Sequence, residues 1–308
     1  MSVSSNIHLF SYLCSMSHKA GFVNIIGNPN VGKSTLMNEL VGERLSIITS
    51  KAQTTRHRIL GIVNDEESQI VFSDTPGIVN PAYKLHEGMM QFVSTALIDA
   101  DVILYMTEIG EKHIKDEKIF NRIVNAKVPV LLLLNKIDTA SQEEVEEKMR
   151  SWSEMLPKAE IIPMSVLNKF NIEKVMVRIK ELIPESPPFY DKAELTDRPE
   201  RFFVTEIIRE KILLNYKKEI PYSCEVIIES FKVGSNITHI IANIIVSRDS
   251  QKGIIIGHKG SKLKKVGTDA RKDIETFLQN KVYLELFVKV DKDWRNKENR
   301  LKNYGYLN

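Results

Sequence analysis

The chain has 308 residues, of which 43% are hydrophobic and 27% are charged, and its formal net charge is +3. This length predicts about two domains, and the composition is typical of a globular protein rather than a disordered or fibrous one. The two cysteines, Cys14 and Cys224, are too few for a disulfide framework or a cysteine metal site, which favours a cytosolic protein. The longest apolar run, residues 128–134, is too short to cross a bilayer, so no transmembrane segment is predicted.

Two regions of the chain differ from the rest in composition or charge. The N-terminal residues lack the basic flank and long apolar centre of a signal peptide, so residues 1–19 are interpreted as a flexible extension, with either Met1 or Met16 as the start. From Arg248 to the end, 15 lysines and arginines stand against 8 acidic residues, a local charge of +7. This excess favours a polyanion partner, with a solvated lysine-rich surface as the alternative.

The segment 27–34 has the phosphate-loop pattern of a glycine, four residues and then Gly-Lys-Ser. An apolar run precedes it and a helix-forming segment follows it, so backbone N–H groups and a helix N-terminus can surround one phosphate. Lys33 is expected to reach the terminal phosphates, and the Ser34 hydroxyl is expected to bind Mg²⁺. The alternative to a phosphate site is a chance match in a flexible loop. The predicted phosphate site comprises Gly27, Asn28, Pro29, Asn30, Val31, Gly32, Lys33, Ser34 and Thr35.

Between Val41 and Ile70 the sequence is polar, and we predict an irregular segment there. Its adjacent threonines, Thr54 and Thr55, are candidates for a nucleotide-sensing switch, because a threonine can complete the Mg²⁺ shell when the terminal phosphate is present. The neighbouring Arg56 and His57 are polar enough for a catalytic role. A solvated loop or a partner contact is the interpretation we favour for both.

A predicted strand, residues 70–73, ends in Asp74-Thr75-Pro76-Gly77. Asp74 can hold Mg²⁺ through water, and the Gly77 N–H can contact the terminal phosphate, although the same four residues also favour a simple turn. Switches of the Ras type place a glutamine directly after this motif to orient the attacking water, and here Ile78 stands in that place. The sequence therefore predicts slow hydrolysis or a water held by other groups. The catalytic candidates are Lys33, Thr55 and Gly77.

The strand predicted over residues 127–134 leads into Asn135, Lys136 and Asp138. A carboxylate at Asp138 can accept hydrogen bonds from the N1–H and N2–H₂ edge of guanine, whereas adenine lacks these donors. Asn135 is expected to fix the loop and contact the base, and the stem of Lys136 to lie along the ring. A further strand, 161–164, leads to Ser165 and Val166, whose backbone could bind the guanine O6. Four nucleotide elements in this order predict GTP binding.

Alternating strands and helices over residues 20–184 predict an α/β fold with a doubly wound sheet, whose ligands bind at the carboxyl ends of the strands. Residues 185–199 are polar and rich in proline, and are predicted to be a linker. Residues 200–308 are predicted to form a smaller α+β domain with a basic tail. Its helix, Gly-x-x-Gly loop, second helix and strand have the layout of a type-2 KH module.

In that module the loop backbone approaches nucleic-acid phosphates, and lysines supply positive charge. A lone Gly-x-x-Gly is very weak evidence, so its weight here comes from the apolar run before it and the basic helix after it. The RNA-binding candidates are Ile256, Gly257, His258, Lys259, Gly260, Lys262, Lys264 and Lys265.

On these motifs, together with residues 53–57, 248–257 and 288–295, the chain from about Gly21 to Tyr306 resembles the Era family of ribosome-associated GTPases. The resemblance implies GTP or GDP with Mg²⁺, and Thr55 as the Mg²⁺ threonine with Thr54 next. Related GTPases imply that Asn30 helps to hold K⁺. Family members also carry an apolar residue at the position of Ile78, which implies slow rather than absent hydrolysis.

The resemblance further implies binding to unpaired RNA near the 3′ end of small-subunit (16S) ribosomal RNA and assistance in assembly of the small ribosomal subunit. It implies a cytoplasmic monomer with peripheral association at the inner membrane. Ala52, Val166 and His258 depart from the residues usual in the family, and the last removes a positive charge from the Gly-x-x-Gly loop.

Two other functions stay open from the residues alone. One is a non-catalytic RNA-binding protein that uses GTP as a structural ligand. Ile78, in the place of a water-orienting glutamine, is the feature that supports this alternative. The other is a GTPase that acts on a protein or membrane partner, with the basic tail bound to anionic lipid.

Overall fold

The computed structural model describes residues 18–111 and 116–307. The predicted N-terminal extension and the choice between Met1 and Met16 fall outside the described residues, apart from His18 and Lys19. The chain divides into two compact units. The first contains residues up to 43, 59–75 and 94–197, and the second contains 44–58, 76–93 and 198 onwards.

The first unit is built on a six-stranded sheet with the order β2-β3-β1-β4-β5-β6. All neighbouring strands are parallel except β2 and β3, which are antiparallel. This arrangement confirms the predicted α/β fold with a mostly parallel sheet. The strands are β1 (Lys19–Gly27), β2 (Ile59–Asn64), β3 (Ser68–Asp74), β4 (Val102–Glu108), β5 (Val130–Asn135) and β6 (Glu160–Pro163).

Helices connect these strands, as a parallel sheet requires. They are α1 (Lys33–Val41), α2 (Lys84–Ile98), α3 (Glu117–Val124), α4 (Gln142–Met155) and α5 (Ile172–Leu182). Residues 131–134 of β5 are all buried leucines, which is typical of a strand covered on both faces. Helix α4 begins with a capping box, in which Ser141 and Glu144 bond to each other's backbone N–H.

The prediction of an irregular segment between Val41 and Ile70 is wrong for β2, which pairs with β3 along its whole length. Ile59, Leu60 and Ile62 are buried, and the turn into β3 is closed by Asp65. The Asp65 Oδ1 accepts hydrogen bonds from the backbone N–H groups of Glu67 and Ser68 at 2.9 and 2.6 Å. An aspartate turn without glycine gives only a weak sequence signal, so no local pattern predicts this hairpin.

The second unit contains a three-stranded sheet with the order β7-β8-β9, in which β7 and β8 are antiparallel and β8 and β9 are parallel. Helices α6 and α9 cover this sheet and share its core, where Ile208 and Ile212 cluster with Val266, Ala270 and Ile274. Its elements are α6 (Glu200–Asn215), α7 (Ile220–Ser223), β7 (Cys224–Lys232), β8 (Ile237–Val246), α8 (Asp249–Ile256), α9 (Ser261–Leu278), β9 (Lys281–Val290) and α10 (Glu298–Asn303).

The segment 44–58, which holds the candidate switch threonines, belongs to the second unit, and so do residues 76–93. The predicted strand-end motif at residues 74–77 is therefore divided, with Asp74 and Thr75 in the first unit and Pro76 and Gly77 in the second. Within the described ranges, no helix combines the length and the apolar character needed to cross a membrane.

Candidate functional site

The phosphate loop begins where β1 ends, at the centre of the first sheet. Strand β1 pairs with β3 on one side and β4 on the other, with Ile25 opposite Asp74 and Gly27 opposite Met106. The order of the sheet reverses at this strand, and open α/β sheets bind their ligands in the crevice at such a point. The topology thus brings the loop and Asp74 to the same edge.

Asn135 ties the phosphate loop to the loop after β6. Its Nδ2 donates to the Val31 carbonyl at 2.8 Å, and its Oδ1 accepts from the Val166 N–H at 3.0 Å. Gly32 packs against this amide with φ 109°, and a Cβ at Gly32 would lie 2.5 Å from the Asn135 Nδ2. Glycine is thus required by both backbone conformation and space.

Lys33 is buried inside the loop, and its Nζ donates to the Asn28 carbonyl at 2.8 Å. Burial lowers the pKa of Lys33 to about 8, against the opposing charges of Asp74 and Glu111. An ammonium group already stripped of water can interact strongly with a phosphate, because little further desolvation is needed.

The two first-unit candidates for Mg²⁺ ligands are in direct contact, since the Ser34 Oγ donates to the Asp74 Oδ2 at 2.7 Å. A hydroxyl and a carboxylate side by side are the hard oxygen ligands that Mg²⁺ prefers, so these residues fit the ion. The neighbouring Thr75 is fully buried, and its hydroxyl donates to the Ile25 carbonyl at 2.7 Å. Thr75 therefore fixes the end of β3 beside β1.

Asp138 and Ser165 come together in the predicted guanine site. The Ser165 Oγ donates to the Asp138 Oδ1 at 2.5 Å, and Asp138 is otherwise exposed. This hydrogen bond orients one carboxylate oxygen and leaves the side chain accessible to a base edge. Lys136 has a left-handed backbone conformation, φ 63°, which turns the chain between β5 and Asp138.

The remaining nucleotide candidates lie in the second unit. Thr54 and Thr55 are both buried there. The Thr54 Oγ1 is bonded to the Thr49 hydroxyl and the Lys51 carbonyl, each at 2.6 Å. This turn occupies the Thr54 hydroxyl. Ile78 is fully buried.

The Gly-x-x-Gly loop of the second unit connects α8 to α9. Gly257 and Gly260 have φ 72° and 77°, and Lys259 between them has φ 48°. His258 is exposed, and so are the four predicted basic residues of the loop and helix, whereas Ile256 is partly buried against the core. No ion pair involves any of these lysines within residues 18–111 and 116–307, so their charge is available to a partner. They are Lys259, Lys262, Lys264 and Lys265.

Comparison with known proteins accounts for both units. A family model described as a 50S ribosome-binding GTPase matches residues 22–136, and a KH-domain model matches residues 219–295. The chain is 39% identical to Era in a crystal structure with MgGDPNP and nucleotides 1506–1542 of 16S ribosomal RNA, with a TM-score of 0.90. It is equally identical to a point variant of Aquifex aeolicus Era bound to GDP.AlF4⁻, with a TM-score of 0.89. Each match covers 94% of this chain and all of the relative.

The chain belongs to the Era family. It is accordingly a GTPase with a C-terminal KH domain, which confirms the predicted fold class and enzyme class.

Two acidic residues of this Era-family chain were not anticipated from its sequence. Glu108 ends β4 and forms an ion pair with Lys136, which anchors the lysine predicted to cover the base. Glu111 is bonded to the Asn28 side chain of the phosphate loop and accepts a hydrogen bond from the Thr107 hydroxyl at 2.7 Å. Burial raises the pKa of Glu111. Neither residue belongs to a local motif, since each is brought to the site by strand pairing.

Of the two alternatives that we favoured for Arg56 and His57, a solvated loop is wrong, and a partner contact stays a prediction. Arg56 is fully buried, donates to the Cys224 and Pro221 carbonyls at 2.7 and 3.1 Å, and pairs with Glu225 at 3.3 Å. The His57 Nε2 bonds the Tyr304 carbonyl at 3.0 Å. Both residues therefore anchor the segment 44–58 within the second unit.

Proposed function

We propose that this protein is a GTP-hydrolysing switch that binds the 3′ region of small-subunit ribosomal RNA through its KH domain and assists assembly of that subunit. The observation that carries the proposal is the end-to-end similarity to Era captured with MgGDPNP and a 16S RNA segment. A guanine site in one unit and an exposed basic Gly-x-x-Gly helix in the other support it.

In the nucleotide site, the Asp138 carboxylate, oriented by Ser165, would accept the donors of the guanine edge. The loop from Gly27 to Thr35 would place its N–H groups and the Lys33 ammonium around the phosphates. Ser34, Thr55 and Asp74 are the residues we assign to Mg²⁺, which supplies charge neutralisation at the terminal phosphates when it is bound. Asn30 is assigned to K⁺.

The residues after β3 would set the rate of GTP hydrolysis. The Gly77 N–H is assigned to the terminal phosphate, with Thr75 and Pro76 fixing the loop around it. Ile78 has no polar atom in its side chain and is fully buried, so it neither orients water nor stabilises charge. Slow intrinsic hydrolysis is the expected consequence.

In the second unit, Gly257 and Gly260 would let the RNA backbone approach the loop, and the four exposed lysines would contact phosphates. Ile256 would line the apolar groove that receives the bases, and His258 would face the RNA backbone. The family resemblance further leads us to propose a cytoplasmic monomer with peripheral association at the inner membrane.

Phosphate release with and without purified small ribosomal subunits tests the enzyme. We expect slow release by the protein alone and faster release with the subunits. An absence of turnover under both conditions would favour the non-catalytic RNA-binding protein.

Crosslinking in cells, with the protein held in its GTP-bound or its GDP-bound state, tests whether 16S ribosomal RNA is the partner. We expect crosslinks to the 3′ region of 16S RNA. One of the matching family models is described as a 50S ribosome-binding GTPase. Co-sedimentation with each ribosomal subunit should therefore be measured in the same experiment. Co-sedimentation with the large subunit alone would contradict the small subunit as the partner. Crosslinks to lipid or protein without ribosomal RNA would favour the third function.

A further inference from the structure

The second unit contains a buried ion pair that the nucleotide and RNA sites described above do not use. Arg209 and Glu206 lie one turn apart on α6, and their residues are 1% and 4% exposed. The Arg209 Nε donates to the Glu206 Oε1 at 2.8 Å, and its Nη2 donates to the Oε2 at 2.5 Å. This two-point contact fixes the plane of the guanidinium group.

The same guanidinium nitrogen that contacts Glu206 also reaches the segment of the switch threonines. The Arg209 Nη2 donates a hydrogen bond to the backbone carbonyl of Thr54. This carbonyl belongs to the peptide group that joins Thr54 to Thr55. Because a peptide group is planar, a fixed Thr54 carbonyl also fixes the direction of the Thr55 N–H and restricts the backbone of Thr55.

The pair is charged in the folded protein. Burial alone would raise the pKa of Glu206, but the charge and hydrogen bonds of Arg209 outweigh it and lower that pKa overall. The donor to Thr54 is therefore a cation held rigidly by an anion, and such charge-assisted hydrogen bonds are roughly twice as strong as neutral ones.

Stability is a poor explanation for this arrangement. Buried ion pairs are often no more stabilising than apolar residues of similar size, because both charges lose their water. The Arg209 Nη1 is buried without a hydrogen-bond partner in residues 18–111 and 116–307, so the group is also incompletely satisfied. The feature that an apolar pair could not reproduce is the donor to the Thr54 carbonyl.

We propose that Arg209 is a positioning residue that holds the Thr54–Thr55 peptide so that Thr55 can serve the GTP-bound state. The proposal rests on the assignment of Thr55 to Mg²⁺ in the proposed function. Arg209 lies on α6, and Ile208 and Ile212 of this helix share a core with residues of α9, the helix that follows the Gly-x-x-Gly loop.

The decisive variant is Glu206→Met combined with Arg209→Met. It replaces the ion pair by apolar residues of similar length, so neither charge remains buried alone, but the donor to Thr54 is lost. The second variant is Arg209→Lys. Lysine keeps a cation beside Glu206, but it lacks the planar set of donors with which arginine bonds both the Glu206 carboxylate and the Thr54 carbonyl. The matched control is Arg44→Met. Arg44 also joins the segment 44–58 to α6, through Glu210 at 2.5 Å, and Glu210 keeps Lys211 as a partner.

The measurements are the affinities for GDP and for a non-hydrolysable GTP analogue, each with Mg²⁺ and with chelator, together with the melting temperature. The double variant should lose about tenfold or more in affinity for the analogue with Mg²⁺, which corresponds to one charge-assisted hydrogen bond. Its GDP affinity should stay within about twofold of the parent protein, since GDP has no terminal phosphate to recruit the threonine. Arg209→Lys should show a smaller loss of the same kind, and Arg44→Met should show none.

Hydrogen exchange gives a readout that does not depend on nucleotide turnover. Amides in residues 50–57 should exchange faster in the double variant with the analogue bound, and at the parental rate in Arg44→Met. An unchanged ratio of analogue to GDP affinity in both Arg209 variants would overturn the positioning role. An equal loss of both affinities would assign the pair to structure alone.

The Mg²⁺ dependence of analogue binding by the parent protein tests the assignment of Thr55 separately from the role of Arg209. If the unaltered chain bound the analogue with no dependence on Mg²⁺, the assignment of Thr55 to the metal would be wrong. If that dependence is present and the variants leave it unchanged, only the role of Arg209 is refuted.

Discussion

The ammonium group of Lys33 is buried, and its burial makes the affinity for nucleotide depend on pH. Its pKa of about 8 means that the lysine is mostly protonated near physiological pH and loses its proton as the pH rises through 8 when no anion is bound. A phosphate beside the ammonium favours the charged form, so nucleotide binding must raise this pKa and take up a proton above pH 8. The affinity is thus fully present below pH 8 and is lost as the pH rises.

We expect the dissociation constant for GDP to rise about fourfold between pH 7 and pH 8.5, from the titration of one group with a pKa of about 8. Titration calorimetry in buffers of different ionisation enthalpy measures both the affinity and the proton uptake. Lys33→Arg is the control, since arginine stays charged over this range. A pH-independent affinity in the parent protein would show that Lys33 is already charged without nucleotide.

We propose that Asp138 decides between bases, because its carboxylate accepts a hydrogen bond from Ser165 yet remains exposed. Asp138→Asn should weaken GTP by at least about 100-fold, since the amide presents a donor to a guanine donor. Xanthosine triphosphate, whose edge offers the complementary acceptor, should compete in the variant and not in the parent. Competition binding with both nucleotides measures this, and unchanged GTP affinity would refute the guanine assignment.

At the scale of elements, α9 begins at the Gly-x-x-Gly loop and carries its exposed lysines on the first turns. A Cβ at Gly260 would meet no atom within 4 Å, although its φ of 77° is unfavourable for other residues. A substitution there therefore adds charge with limited steric disturbance. The loop is a suitable place to test RNA binding separately from the fold.

Gly260→Asp should abolish RNA binding and leave GDP affinity unchanged, because the carboxylate would repel the RNA backbone at its point of closest approach. Thr276→Asp adds the same charge to the same helix, about 24 Å further along by the helical rise, and should retain RNA binding. Filter binding of a 16S 3′-end RNA measures the effect. A parallel loss of RNA and GDP binding in Gly260→Asp would indicate a structural role for the loop.

At the scale of the whole molecule, each compact unit contains one of the two tryptophans in the sequence. Trp152 on α4 is 1% exposed and Trp294 is fully buried. Each variant that keeps a single tryptophan therefore reports the unfolding of one unit. This allows the effect of nucleotide to be assigned to a part of the chain.

In Trp294→Phe, GDP with Mg²⁺ at 100 times its dissociation constant should stabilise the unit reported by Trp152 by about 2.7 kcal/mol. Chelation of Mg²⁺ should remove much of this shift, because Ser34 and Asp74 then have no cation to bind. Fluorescence-detected urea unfolding measures it. The absence of any shift in the Trp152 signal would contradict a nucleotide site in the first unit.

The sequence by itself determined the fold class, and it predicts the candidate sites whose atoms come from consecutive residues. A phosphate loop, the residues around Asp138 and a Gly-x-x-Gly turn use neighbouring backbone groups, so their chemistry is visible in short spacings. The same holds for the long helices and buried strands, whose hydrophobic period is local.

Only the tertiary structure decided the contacts between distant positions. Arg209 meets Thr54 from 155 residues away, and Arg56 meets Glu225 from 169 residues away. Lys136 meets Glu108 because β4 and β5 pair in the register that sets Glu108 opposite Asn135. No local pattern encodes these pairs, since the folding of the sheet and core creates them. The same reason explains why Arg56 and His57 are buried although they are polar residues in a polar segment.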